Sequence, residues 1–153
     1  MSSGVRDTET PDGREFKKML KELAELQVRV GFQHGENTEN GVDMCDIAAF
    51  NELGTENSPS RPFLRKSVDE NQDKINAFLQ GTKADLLGGK SAEMVLKEIG
   101  IFQKDLIQEK ITEGSYAPNA ESTIRRKGSD KPLIDSGKMR QSVNYVIKKK
   151  GEE

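Results

Sequence analysis

The sequence predicts an α+β fold: a small, mostly antiparallel sheet with several packed helices, one of them long. Two segments near opposite ends of the chain, residues 27–32 and 142–149, alternate apolar and polar residues as half-buried strands do. Between them, apolar residues recur at helical spacing, most strongly in a long helix predicted near residues 91–113. A small, mostly antiparallel sheet would bring the two segments together. Because an isolated pair of short strands is marginal, its exposed edges would be available for pairing with another subunit.

A chain of 153 residues is long enough for one domain with a core of its own. Hydrophobic and charged residues each make up 33% of it, and this low apolar share favours loose arms or stability gained from neighbouring subunits. Residues 1–10 are polar and lack periodicity, so we expect a flexible N-terminal arm followed by a single domain at residues 11–150. Neither an apolar run of membrane-spanning length nor an apolar signal core is present, so we expect synthesis in the cytoplasm and no membrane contact.

The first part of the domain is predicted to hold a helix, a strand, a loop and a second helix. A threonine–proline pair precedes apolar residues at helical spacing, which predicts a helix from Pro11 to about Glu25. Residues 33–41 combine glycine and asparagine without periodicity, as loops do. Asp43 suits the cap of the second helix, in which Phe50 is expected to point partly inward.

Residues 51–65, which read NELGTENSPSRPFLR, predict a stiff corner between two helices, and we call this segment the elbow. Gly54 lies just past the first helix, where helices commonly close on a left-handed residue. Pro59 and Pro62 fix φ and lack the N–H donor, so the segment cannot be a central strand. Ser60 is the expected cap of the helix that follows.

From the elbow, a helix is predicted to run to Gln80 and to end at Gly81, with a break at residues 82–90. Ser91 suits the cap of the long helix, and Gly100 inside that helix suggests a close crossing by another element. Two shorter helical segments are expected after it, at residues 120–127 and 135–140.

Few residues carry the patterns of known catalytic or metal chemistry. Gly89-Lys90-Ser91 is similar to the end of a phosphate-binding loop, but Ala84 stands where that pattern needs glycine and a helix precedes it instead of a strand. His34 and Cys45 are the only histidine and cysteine, and a nucleophile built from them would need a third group that the sequence does not identify. We therefore expect no cofactor, no metal and no small-molecule substrate, with a small hydrolase as the alternative from another class.

Charge is distributed unevenly along the chain. Residues 114–153 contain nine Lys or Arg against five Asp or Glu, whereas residues 1–113 contain 15 against 21. Such asymmetry can orient a subunit in an assembly or against DNA. The candidate contacts with passing DNA are Arg125, Arg126, Lys127, Lys148 and Lys149. Apart from Tyr145 they lack interleaved aromatics, so we expect non-specific, salt-sensitive contact; a soluble DNA-binding module is a further alternative.

Three blocks of the sequence resemble the tail-completion (neck) proteins of long-tailed bacteriophages. Residues 28–32, VRVGF, are similar to an early strand of that family. The elbow is similar to the family's block in which Asn-Glu-x-Gly-Thr precedes Pro-x-Arg-Pro-Phe-Leu-Arg. Residues 122–145, STIRRKGSDKPLIDSGKMRQSVNY, are similar to its third block, with Ser136 and Met139 in place of the usual threonine and leucine. The order and the separations of the blocks also fit.

The resemblance implies a structural virion protein, not an enzyme, that completes the tail end and joins it to the filled head. It would act as a homo-oligomeric ring around the DNA channel, after assembly in the host cytoplasm. The implied partners are other neck proteins: the connector or head-closure protein, and the tail terminator or tail tube. A tail-terminator or head-closure ring is the neighbouring alternative in the same neck.

Two polar turns are the expected subunit or partner interface: Arg61, Pro62, Phe63, Arg65, Asp135, Lys138 and Arg140. The alternative is that Phe63 and Leu64 anchor the elbow in the core of their own subunit. On the interface hypothesis, replacing Arg61 and Arg65 by alanine leaves folding intact and impairs assembly.

Overall fold

The computed structural model describes residues 10–127, 132–133 and 137–152. These residues form an α+β fold of seven helices and two small antiparallel sheets, as the sequence predicts. The elements in chain order are α1 (Pro11–Glu25), β1 (Leu26–Gly31), β2 (Thr38–Glu39), β3 (Val42–Asp43), α2 (Met44–Leu53), α3 (Phe63–Asp69), α4 (Gln72–Leu87), α5 (Ala92–Glu113), α6 (Glu121–Lys127), α7 (Lys138–Ser142) and β4 (Asn144–Lys149). The predicted N-terminal arm lies outside the described residues except for Thr10.

The main sheet consists of β1 and β4, which pair antiparallel as predicted and rest on α5. Tyr145 of β4 lies opposite Val30 of β1, and its side chain points at Gly100 of α5. A Cβ atom added at Gly100 would lie 2.7 Å from Cγ of Tyr145, so the close crossing expected at this glycine is present. Two short strands have little stability alone, and α5 supplies the apolar surface that they need.

Three helix starts follow the sequence prediction. Thr10, Asp43 and Ser91 each accept a backbone N–H from the first turn of α1, α2 and α5, at 3.0, 2.8 and 3.2 Å respectively. These side chains satisfy donors that have no partner within the helix, and each such cap is typically worth about 1 kcal/mol.

The prediction of one helix from the elbow to Gln80 is wrong in two respects. The first is that two helices, α3 and α4, occupy this stretch. Asn71 separates them: its side chain is buried and donates to the carbonyl of Ser67, which closes α3. Gly81 does not end α4, which continues to Leu87. Packing explains the continuation, because Thr82 is buried at 6% exposure and its hydroxyl donates to the carbonyl of Leu79.

The predicted loop at 33–41 contains the strand β2, which forms a tight hairpin with β3 directly after the loop. Asn40 and Gly41 connect them, and both have positive φ, +52° and +81°. Asn-Gly in this conformation is the favoured two-residue hairpin turn, so the sequence carried a signal that the loop prediction missed.

The core lies around the C-terminal half of α5. Its buried members come from α2, α3, α5, α7 and the segments beside α7: Met44, Ala48, Phe63, Ile107, Ile111, Leu133, Met139 and Val143. Phe50 was expected to point partly inward, but it is 53% exposed. A second apolar contact lies nearer the middle of α5, where Phe102 stacks on Phe78 of α4 at 4.1 Å between ring centroids.

Among the described helices, none combines the length and the apolar character that crossing a bilayer requires.

A matched pair of glycine substitutions tests the crossing of α5 and β4. We expect Gly100→Ala to lower the free energy of unfolding by about 1–3 kcal/mol, because the new methyl overlaps the base of the Tyr145 side chain. We expect Gly81→Ala to raise it by about 0.5–1 kcal/mol, because no atom lies within 4 Å of the new methyl and alanine is the better helix former. Urea unfolding of both variants measures the difference, and equal stability of the two would contradict the crossing.

Candidate functional site

The elbow reverses the chain through a turn that only glycine permits at its start. Gly54 has a φ of +78°, and a Cβ atom there would lie 2.7 Å from the backbone nitrogen of Ser60. Thr55 and Ser58 then exchange two backbone hydrogen bonds, at 2.9 and 3.3 Å, and close a short loop. The glycine predicted to close α2 has the positive φ expected of it, but its ψ of 169° is extended and not left-handed helical, and it brings the returning chain against the end of that helix.

The returning chain satisfies the last carbonyls of α2. The backbone N–H of Arg61 donates to the carbonyl of Asn51 at 2.6 Å, and the hydroxyl of Ser60 donates to the carbonyl of Glu52 at 2.7 Å. Helix C-termini leave such carbonyls without intrahelical partners, so these two bonds fix the elbow to the helix before it.

Ser60 is not the cap of α3, as the sequence had predicted. Pro62 occupies the cap position and forms no capping bond through its side chain. The carboxylate of Glu52 takes that role from the preceding helix, accepting the backbone N–H of Leu64 at 2.8 Å and that of Arg65 at 3.1 Å. An anion at a helix N-terminus satisfies free donors and interacts favourably with the helix dipole. A single side chain thus sets the angle between α2 and α3.

Arg61 lies inside the protein at 6% exposure. Its guanidinium donates to the carbonyl of Ala117 at 2.8 Å, to the carbonyl of Pro118 at 3.3 Å and to Oδ1 of Asn119 at 3.1 Å. Burial lowers the pKa of Arg61 from its usual value, although arginine keeps its charge in proteins. The side chain clamps the elbow to the segment that follows α5, and only the fold brings these stretches together.

Tyr116 connects the same segment to helices α5 and α3. Its hydroxyl donates to the carbonyl of Lys110 at 2.8 Å, and the ammonium of Lys66 lies 5.1 Å from the centre of its ring. Burial, with Glu70 and Glu52 nearby, raises the pKa of Tyr116 to about 12, so the hydroxyl remains a donor across the physiological range.

The expected interface residues divide into buried and exposed sets. Arg61 and Phe63, at 6% and 0% exposure, offer no surface to a partner, and Phe63 packs edge-on against Phe32 at 6.0 Å. The alternative, that Phe63 anchors the elbow in its own core, is therefore the observed arrangement. Pro62 is half-buried and Arg65 is exposed. Lys138 and Arg140, both on α7, are exposed, whereas Asp135 lies outside the described residues.

The elbow presents an apolar surface that sequence analysis missed. Leu53 is 77% exposed and Phe50 is 53% exposed, three residues apart at the end of α2. The backbone of Arg65 is tied to the same turn, since its N–H is bonded to the carboxylate of Glu52. We call Phe50, Leu53 and Arg65 the knob. Two neighbouring exposed apolar side chains at a fixed corner make this a candidate contact surface.

The candidate DNA contacts form two separate groups in the described residues. Arg125 and Arg126 are exposed on α6, just after the segment that Arg61 clamps; α6 ends at Lys127, whose side chain lies outside the description. Lys148 and Lys149 lie at the other end of the molecule, where β4 pairs with the start of β1. Arg29, which sequence analysis did not select, is exposed on the same sheet. One chain therefore does not gather these cations into one surface.

Asp43 contacts the side chain of His34 and the backbone N–H of Cys45. Nδ1 of His34 lies 3.1 Å from Oδ2 of Asp43, whose other oxygen accepts the N–H of Cys45. That bond, together with a second one from Gly35, lowers the pKa of Asp43. Burial and then the charges of Asp43 and Asp46 raise the pKa of Cys45, so this environment favours the neutral thiol and not the reactive thiolate.

The segment similar to a phosphate-binding loop is occupied by internal contacts. The ammonium of Lys90 lies 2.9 Å from the carboxylate of Glu98 and 3.3 Å from that of Asp85, while Ser91 caps α5. In the described part of the chain, no group of three or more His, Cys, Asp or Glu side chains is placed to hold a metal ion.

Comparisons of the chain with protein-family models, with curated proteins and with solved structures give no match.

Removing the carboxylate that caps α3 tests the construction of the elbow. We expect Glu52→Ala to lower the free energy of unfolding by about 1–2 kcal/mol, because two N–H groups lose their acceptor. Glu56→Ala, in the exposed turn of the same segment, is the control and should change stability by less than about 0.5 kcal/mol. Thermal and urea unfolding measure both, and an equal effect of the two changes would contradict the capping role.

The two arginines of the elbow should now respond differently to alanine, in contrast to the expectation from sequence that both leave folding intact. We expect Arg61→Ala to cost about 2–3 kcal/mol of stability, because it leaves three acceptors without their donor. Arg65→Ala, on the surface, should cost less than about 0.5 kcal/mol. Urea unfolding separates the two cases; a stable Arg61→Ala protein would show that the clamp is dispensable.

Proposed function

We propose that this chain is a structural protein of the neck of a tailed bacteriophage, which completes the tail end and joins it to the head. It acts as a homo-oligomeric ring around the DNA channel, between a connector or head-closure protein and the tail terminator or tail tube. The proposal begins from the resemblance of three sequence blocks and is supported by what those blocks do in the fold.

The single observation that carries the proposal is that all three blocks meet in one core. Val30 and Phe32 of the first block pack against the core cluster, which contains Phe63 of the elbow, and the third block contributes Met139 and Val143 to the same cluster. A further contact joins the second block to the third, since the amide of Asn51 lies 3.9 Å from the sulfur of Met139. The residues of the resemblance therefore build a rigid corner, which suits a part whose work is mechanical.

The surface features agree with a subunit that works among neighbours. The knob exposes Phe50 and Leu53 beside Arg65, and the corner beneath it is fixed by the bonds of Glu52 and Arg61. A pre-ordered surface loses little conformational freedom on binding, which favours stable assembly.

The hydrolase alternative has weaker support, because the environment of Cys45 holds the thiol in its unreactive form.

Deletion of the gene in the phage that encodes this chain tests the function. We expect filled heads and complete tails to accumulate separately in lysates, with normal particles restored by the wild-type chain supplied from a plasmid. Negative-stain electron microscopy counts joined and separate particles, and image averaging locates the protein at the junction.

Two exposed positions provide matched variants for the same assay. The Leu53→Glu chain, altered at 77% exposure, should fold but restore joining poorly, whereas Glu56→Ala in the adjacent turn should restore it fully. Two results would rule out the neck function: particles that join normally without the protein, or purified particles that do not contain it.

A further inference from the structure

We propose that copies of this chain associate head to tail, with the knob of one copy seated in an apolar groove beside α1 of the next. This inference rests on the proposed ring and identifies the two surfaces that join its subunits. It follows from four features: an exposed apolar projection, a groove with apolar walls and a charged rim that the described residues leave open, complementary charge, and their placement at opposite ends of α5.

The projection is the knob defined above. Leu53 and Phe50 lie on one side of the last turns of α2, at 77% and 53% exposure. Gly54 closes the helix immediately after Leu53, and the returning chain is bonded to the last carbonyls of α2. The two apolar side chains therefore stand on a fixed corner rather than on a loose loop.

The groove runs between α1 and the turn that joins α4 to α5, with a volume of about 550 Å³. Its apolar walls are Phe16 and Met19 of α1 with Leu86 and Leu87 of α4. Helix α1 is amphipathic, yet Met19 is the one buried residue among its described side chains. Phe16 is 39% exposed and Leu87 is 64% exposed, so the apolar side of α1 is only partly covered within one chain.

Charge favours the knob as the occupant of this groove. The part of the rim that α1 provides carries three carboxylates and one ammonium: Asp12, Glu15, Glu22 and Lys18. The other cation of the lining, Lys90, is already paired with Asp85 and Glu98. The knob includes the exposed cation Arg65, whose backbone is bonded to Glu52 of the same turn, and an arginine approaching an acidic rim orients the contact.

The two surfaces lie at opposite ends of the longest helix. Arg61 of the elbow binds the segment directly after the C-terminus of α5, whereas Ser91, the N-terminal cap of α5, lines the groove. A helix of 22 residues is about 33 Å long at about 1.5 Å per residue. A knob cannot reach the groove of its own chain over that distance, so the contact is between copies and heterologous, the type that closes into rings.

Mixing two complementary variants tests the pairing of these surfaces. Leu53→Glu destroys the knob and keeps the groove, while Leu87→Glu destroys the groove and keeps the knob; both positions are exposed, so neither change empties the core. Each variant alone should self-associate on the order of 100-fold more weakly than the wild type, because a carboxylate enters an apolar contact. An equimolar mixture should form a heterodimer and stop there, since one intact knob meets one intact groove.

Sedimentation velocity and native mass spectrometry measure these species, and circular dichroism confirms that each variant is folded. Leu79→Glu, at 42% exposure on α4, is the matched control and should associate like the wild type. A wild-type chain that stays monomeric at its highest soluble concentration overturns the inference. So does a mixture that behaves like its separate components.

Failure of this inference is distinguishable from failure of the neck function. If wild-type rings form and neither variant weakens them, the subunit contact lies elsewhere while the neck function stands. If particles join normally without the protein, the neck function falls whatever the solution assembly shows.

Discussion

The close approach of α5 to a two-stranded sheet is the contact on which the rest of the structure depends. Gly100 lets Tyr145 lie directly against the helix, where a methyl group would overlap the ring. A pair of six-residue strands would be marginal alone, and the long helix supplies the surface that stabilises it. Helices α1, α3, α4 and α7 then pack around the same helix, so a disturbance at this crossing would reach every layer of the fold.

The elbow is stiff because distant parts of the chain satisfy its polar groups. Glu52 reaches from α2 to the N-terminus of α3, and Arg61 reaches to three acceptors that follow α5. Partly buried hydrogen bonds of this kind are costly to break, because water does not fully replace the lost partner. The corner is therefore held together as a unit, which is the property that the proposed neck function requires.

The two ends of α5 carry different surfaces, and this difference relates the fold to the proposed assembly. The apolar knob and the groove occupy its two ends, and the two groups of cations are likewise divided between the α6 end and the end of β4. A subunit with different surfaces at its two ends builds closed rings when the rotation between neighbours is right. Repetition of the subunit around the proposed ring would bring the cations of neighbouring copies together around the central channel. There they would contact DNA without reading its sequence.

Local physical chemistry allowed the sequence by itself to determine the two main strands, most of the helices and three helix caps. Capping by Thr10, Asp43 and Ser91 depends on neighbours within three residues, and alternation or helical spacing depends on few more. Tertiary structure alone decided that α4 passes through Gly81, that Glu52 and not Ser60 caps α3, and that Arg61 is buried while Leu53 is exposed. Burial and long-range hydrogen bonds depend on which segments meet in space, and no local pattern of residues specifies that meeting.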